Sequence, residues 1–216
     1  MTMRKTAQRE DIRELILDGV DLLLARYGYK KMTMEDLSKT VGIGKGTLYL
    51  HFAGKEELVL AHIERIVEGV VRRLREIARG AAALDRKIKD MLLTRVLYRF
   101  DCVRGYSQSL NDLLSSVRAQ LLVRRRKHFR LEAGIFADVL SEGKRLGAFE
   151  LGAPAEEVAR TLIACTNAFL PFSLSRRELG KRAEVARRVS SIADLLVSGI
   201  RRRSGPSHPP GKGGTA

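Results

Sequence analysis

The sequence predicts an all-α fold, on three observations. Apolar residues recur at three- and four-residue spacing from about Glu10 to Arg203, and no sustained alternation or turn-flanked β-branched run interrupts them. A glycine-centred break between Val41 and Lys45 also splits two short helical segments. The organisation these imply is an N-terminal three-helix unit over residues 1–54, a larger helical domain over 55–203 and a tail over 204–216.

The opening residues to about position 8 read as a short polar arm carrying Arg4 and Lys5, with Arg9 at its end. Such an arm can reach a minor groove beside a DNA-binding helix, or be an ordinary frayed terminus. A single amphipathic helix follows from about Glu10 to Arg26, with Ile12, Ile16, Val20, Leu23 and Leu24 on one face and Gly28 as its C-cap. Tyr29 reads as a packing residue. Thr33, with Asp36 three positions on, has the form of a helix N-cap, and Met34, Leu37 and Val41 then share a face. Gly42-Ile43-Gly44 ends that helix, because glycine accepts the left-handed backbone of a sharp turn. The next helix, from about Lys45 to Phe52, turns Leu48 and Phe52 inward over Ile43 and leaves Lys45, Thr47, Tyr49 and His51 outward. Two short helices around a glycine turn, the second with an exposed polar and aromatic face, describe a helix-turn-helix whose second helix fits a DNA major groove.

The string from Gly42 to Phe52, GIGKGTLYLHF, and then Gly54-Lys55-Glu56-Glu57-Leu58, closely resembles the signature of TetR-type bacterial transcriptional regulators. The likeness runs from about Ile12 to Ile66; beyond it the chain matches in length and helical character only. Two positions depart from the pattern. The family usually has serine where Gly44 stands and commonly tyrosine where His51 stands. Glycine costs only a few tenths of a kcal/mol as an N-cap, and His51 can still donate to a phosphate. In a recognition helix so placed, Lys45, Gly46 and Thr47 meet base edges at its N-terminal end. Tyr49 and His51 bind phosphates, as do Thr33 and Lys55 in the first turns of their helices, helped by the positive helix ends. The resemblance also implies a homodimer that offers two recognition helices to successive major grooves, about 34 to 36 Å apart or somewhat more, and so a near-palindromic operator in double-stranded DNA. It implies release by a small-molecule effector whose identity the sequence does not give. An effector-independent DNA-organising or division-linked protein of the same fold is the alternative.

From Gly54 to about Ala78 one long helix is predicted, started by Gly54 and Glu57 as half of a capping box and continued through Leu58, Ile63, Val67, Val70 and Leu74. It leaves the DNA-binding unit without a break and can couple that unit to the rest. Later helices are expected at about Asp85–Phe100, Ser107–Ser116, Arg118–Leu146, Glu156–Phe172 and Glu178–Arg203. Breaks are expected at 101–106 and 147–154, and Pro171 should kink or end its helix. Val158, Leu162, Cys165, Ala168 and Phe169 share one face; Val185, Val189, Ile192, Leu195, Leu196 and Ile200 share another. These stripes suit an intramolecular core equally well, and only the resemblance makes the last two helices the dimer interface. Tyr98, Phe100, Tyr106, Phe129, Phe136, Asn167 and Phe169 could face an effector or be ordinary core. The tail, SGPSHPPGKGGTA, lacks apolar residues and is expected to be disordered.

The net charge of +15 is unevenly placed. Residues 1–60 hold 10 Lys/Arg and 9 Asp/Glu, whereas the remainder hold 30 and 16, so the surplus lies outside the predicted DNA reader. It can steer the protein toward DNA at long range, neutralise an anionic effector, or simply be solvated helix faces. The run Arg124, Arg125, Arg126, Lys127 and Arg130 is the densest. A solvated face is its plain reading; a site for a phosphate-bearing effector such as an acyl coenzyme A, or a second DNA contact, is the sharper one. GIGKGT lacks the spacing and preceding strand of a phosphate-binding loop. The histidines, His51, His62, His128 and His208, lack partners at metal-ligand spacing, and no nucleophile elbow or catalytic cysteine context is present. No metal, cofactor or enzyme activity is therefore predicted. A polar amino terminus, two cysteines and no membrane-length apolar run predict a cytoplasmic protein with free thiols and no membrane association.

Overall fold

The computed structural model describes residues 2–171 and 180–201, and these form helices joined by short connections. Three helices make the N-terminal unit: α1 (Thr2–Lys31), α2 (Met34–Val41) and α3 (Lys45–His51). The remainder comprises α4 (Lys55–Arg79), α5 (Leu84–Val103), a 3-10 turn (Arg104–Ser109), α6 (Leu110–Ser116), α7 (Arg118–Arg145), α8 (Ala155–Thr166), a second 3-10 turn (Asn167–Phe169) and α9 (Arg182–Ile200). Among the described residues there is no strand, and no helix is long and apolar enough to cross a membrane.

The helices close over one another because their apolar stripes meet. Ile16, Leu17, Val20 and Leu24 of α1 are buried against Leu37, Leu48 and Phe52. The approach of α1 to α2 is set by Gly19, where a Cβ would sit 2.5 Å from Val41 Cγ2. A Cβ-bearing residue there would force the two helices apart. The same apolar cluster continues across the predicted boundary at residue 54, taking in Leu58 and Val59 of α4, Val103, Tyr106, and Leu110 and Leu113 of α6. Farther along, α4 packs with α5, α7, α8 and α9 around Val70, Leu74, Met91, Phe136 and Leu140. With 25 residues, α4 spans roughly 37 Å and carries the wall of both clusters.

Several boundaries differ from expectation for identifiable reasons. α1 begins at Thr2, where a short polar arm was expected, rather than at about Glu10. α1 is kinked at Gly28, whose φ of +71° marks the predicted stop. α5 runs on to Val103 before its break, since Val103 is drawn into the N-terminal cluster. α8 stops at Thr166, short of Pro171, because Arg95 Nη1 donates to the Ile163 carbonyl at 3.3 Å and to Thr166 Oγ1 at 2.9 Å and so caps the helix. The expected helix start at Glu178, its end beyond Arg201, and the tail with His208 lie outside the described residues.

The two stripes assigned to α8 and α9 divide between inside and outside. Leu162, Phe169, Val185 and Val189 are buried in the chain's own core. Leu195, Cys165 and Ala168 are exposed, and Val158, Ile192, Leu196 and Ile200 are half-buried.

Candidate nucleic-acid interface

The turn between α2 and α3 is held by local chemistry. Thr33 and Asp36 form a full capping box: Asp36 N donates to Thr33 Oγ1 at 3.0 Å, and Thr33 N donates to Asp36 Oδ2 at 3.2 Å. At the other end Gly42, with φ of +73°, donates to the Ser38 carbonyl at 3.0 Å. Ser38 Oγ reaches across the turn to the Ile43 carbonyl at 2.6 Å. The sequence reading missed this clamp, whose signal was a hydroxyl four residues before the capping glycine.

Gly44 begins α3 without a side-chain cap, and its carbonyl accepts from Thr47 N and Leu48 N. Leu48 and Phe52 anchor the helix in the core, with the Arg13 guanidinium 5.5 Å from the Phe52 ring centroid. The opposite face is open. Tyr49 is 53% exposed, Lys45 and Gly46 are exposed, and Thr47 and His51 are half-buried. Nothing lies within 4 Å of where a Gly46 Cβ would be, so a partner can approach its backbone closely. Leu50, at 75%, is the most exposed large apolar residue on this helix and was not singled out from the sequence. Its signal was its place one turn beyond Gly46 and Thr47.

The basic groups are already engaged. Lys45 Nζ lies 2.8 Å from Glu35, which also holds Lys39 at 3.1 Å. Hydrogen bonds and charge from the two lysines pull the Glu35 carboxyl down to about 2, and Glu35 in turn raises the Lys45 pKa. Lys55 Nζ sits 4.3 Å from the Tyr29 ring centroid and 3.3 Å from the Lys30 carbonyl, where burial lowers its pKa. The Thr33 hydroxyl donates to Asp36 at 2.6 Å, so a phosphate reaching it competes with the cap.

Behind this surface, α4 is locked to α1. Arg65 donates to Asp18 at 2.6 Å, Asp21 at 2.5 Å and the Leu17 carbonyl at 3.0 Å. One turn earlier His62 is buried, with Nε2 2.8 Å from Tyr106 Oη and 3.5 Å from Asp21 Oδ1. Burial, helped by the Arg65 charge, lowers its pKa to about 4, so the ring is neutral and Nδ1 lacks a partner among the described residues.

Tyr106 also borders a cavity of about 330 Å³ between α4, α5, α6 and α7. Of the aromatic and polar residues considered from sequence, Tyr106 and Phe129 line it. Phe100, Phe136 and Phe169 are core residues, Tyr98 borders a separate cleft, and Asn167 accepts from Arg95 at 2.6 Å. Within the basic run, Arg125 borders the cavity, Arg124 pairs with Glu64 at 2.6 Å, and Arg126, Lys127 and Arg130 are exposed.

Comparison with known proteins converges on this surface. The family described as bacterial regulatory proteins, tetR family, matches residues 16–62, from the middle of α1 to the second turn of α4. An HTH-type transcriptional repressor of Mycobacterium tuberculosis is 27% identical over 138 residues, covering 59% of this chain and 73% of that protein. The HTH-type transcriptional repressor KstR2 of Rhodococcus jostii is 27% identical over 162 residues, covering 73% and 77%. A TetR-family transcriptional regulator from Pectobacterium atrosepticum has the same fold, with a TM-score of 0.70 at 18% identity over 91% of this chain and 97% of that one. With its capped helix-turn-helix and open recognition face, the segment 16–62 carries the DNA-binding unit of the tetR family of bacterial regulatory proteins, and the chain as a whole is similar to TetR-family transcriptional regulators in fold.

Proposed function

We propose that the protein is a repressor that binds a near-palindromic operator as a homodimer and leaves it when a small molecule fills the cavity. The observation that carries this is the continuity of α4. Its first turn follows the recognition helix after a three-residue link, its Arg65 grips α1, its His62 meets Tyr106, and its Ile63, Ile66 and Val67 form a wall of the cavity. A ligand that favours one α4 position thereby favours one placement of α3, and it acts only through its differential affinity for the two. The cavity also speaks for an effector-controlled regulator over an effector-independent DNA-organising protein.

Residues 1–54 serve as the DNA reader and 55–203 as the effector and dimer domain. Gly46, Thr47 and Leu50 face base edges, Leu50 suiting a thymine methyl. Lys45 works at the same end, exchanging Glu35 for DNA. Tyr49, His51, Thr33 and Lys55 hold phosphates. Dimerisation uses the outer faces of α8 and α9, where Thr161, Ala164, Cys165 and Ala168 on the first, or just past its end, and Ser191, Leu195 and Gly199 on the second are all exposed. Small residues there permit close helix approach.

Quantitative binding to operator and random duplexes at two salt concentrations tests the assignment. Thr47→Ala should weaken operator binding by about 1–3 kcal/mol while leaving random DNA nearly unchanged. Lys55→Ala should weaken both alike and make the salt dependence shallower by about one unit of slope. The reverse pattern removes these roles, and absence of any DNA binding at low salt removes the function.

A further inference from the structure

The side of α3 turned away from the core is poor in groups that read bases by hydrogen bonds. From Lys45 to Ala53 the chain is KGTLYLHFA, without Arg, Asn, Gln, Asp or Glu. Those are the side chains that pair with guanine, adenine or cytosine edges in the major groove. Lys45 can also address guanine, but it stands at the flank. Five residues before Leu50, it is turned about 140° away from it at roughly 100° per residue, and its ammonium lies 2.8 Å from Glu35. The hydroxyls nearby on α2 and its cap are spent within the chain: Thr33 donates to Asp36, Ser38 to the Ile43 carbonyl and Thr40 to the Asp36 carbonyl.

Gly46, Thr47 and Leu50 occupy the crown of the helix, while Leu48 and Phe52 are buried on the opposite side. A single exposed leucine is ordinary on a protein surface, so its position decides what it means. Gly46 lies one turn before Leu50 and brings no side chain, and nothing stands within 4 Å of where its Cβ would be. Leu50 therefore rises beside a notch of bare helix backbone, with the Thr47 side chain next to it. That notch has room for a methyl group and offers it carbon rather than donors. In the major groove the apolar group that a base presents is the C5 methyl of thymine.

We infer, resting on the placement of α3 in a major groove proposed above, that each half-site is read through thymine C5 methyl groups rather than through base hydrogen bonds, with Leu50 as the specificity-determining side chain. A thymine methyl seated between Leu50, Gly46 and Thr47 leaves water on both sides of the contact. Cytosine at the same place lacks the methyl, and its amino group loses water under Leu50 without gaining a partner. A purine there leaves its own polar edge unmet in the same way.

Selection of a bound duplex from a random pool with the full chain, followed by replacement of each thymine of one half-site in turn by uracil, tests this. Uracil keeps every hydrogen-bonding atom of thymine and lacks only the methyl. At one position or more the replacement should weaken binding by about fourfold, the factor for burying one methyl group. At that position 5-methylcytosine opposite guanine should bind more tightly than cytosine opposite guanine. Leu50→Ser should make the thymine and uracil duplexes equivalent, whereas Leu50→Met should keep the preference for thymine. Uracil matching thymine at every position of a duplex that still binds specifically would overturn the inference and leave the DNA reader standing. A Leu50→Ser chain that keeps the full thymine preference overturns it too, as does one whose oligomeric state changes in light scattering, since the face would then seat a second copy. A pool from which no duplex is enriched removes the DNA reader and the inference together.

Discussion

Glu35 sits where a DNA-binding surface would be expected to avoid a carboxylate, yet it pairs with both Lys39 and Lys45. Before DNA arrives it holds Lys45 beside the start of the recognition helix; once phosphates are near, it repels them and competes for the same lysines. Glu35→Gln removes that competition and should tighten binding to operator and random DNA alike by a few-fold at low salt, with the gain shrinking as salt screens it. An electrophoretic or anisotropy titration checks it, and weaker binding would mean that Glu35 positions Lys45 more than it restrains it. The other basic candidate behaves differently. Lys55 packs its stem and ammonium on Tyr29, so its charge is held in place rather than mobile.

At the scale of elements, the α1–α4 contact joins the helix-turn-helix unit to the rest of the chain, and a buried titratable group lies beside it. His62 is neutral in the fold with a pKa near 4, against an ordinary value of 6.5. Between these values the unfolded chain binds more protons than the folded one. Stability is therefore lost as the pH falls from about 6.5 toward 4, by up to about 3 kcal/mol when complete. Asp21, whose carboxyl is raised by burial, titrates with the opposite effect, so the contrast with a variant is the informative quantity. Urea unfolding of His62→Gln, which can keep a bond to Tyr106, should show a flatter pH dependence over this window than the natural chain. Equal slopes would place the charge change elsewhere. The Arg95, Arg99 and Glu132 cluster fixes α5, α7 and α8 in the same way that Arg65 fixes α1 and α4. Burial alone would raise the Glu132 carboxyl, but Arg99 and Arg95 hold it below its ordinary range.

For the whole molecule, the proposed dimer needs an outer face on α8 and α9 that the chain's own core leaves uncovered. Leu195 is 75% exposed on α9, an outlay of apolar surface that the chain's own core does not use. Leu195→Glu should therefore leave the fold of one chain intact and disrupt pairing. Light scattering should then report a monomer, and operator affinity should drop at least about a hundredfold because the second half-site is no longer held at high effective concentration. A dimer that survives this change would move the interface away from α8 and α9.

Sequence alone determined the helical class, the capped α2, the glycine turn and the inward anchors Leu48 and Phe52, because each rests on residues within a few positions of one another. Periodicity, caps and positive-φ glycines are local physics, and the same closeness kept Gly42 to Leu58 recognisable as a motif. Leu50 and Ser38 were within reach of that local logic but lacked a signal as sharp as a cap. Tertiary structure decided the rest. An apolar stripe such as Val185, Val189 and Leu195 has no mark saying which members face the core; only packing against α5 buried the first two and left the third outside. The charge cluster is more dependent still. Arg95, Glu132 and Thr166 are far apart along the chain, and only the packing of α5, α7 and α8 brings them into one hydrogen-bonded group.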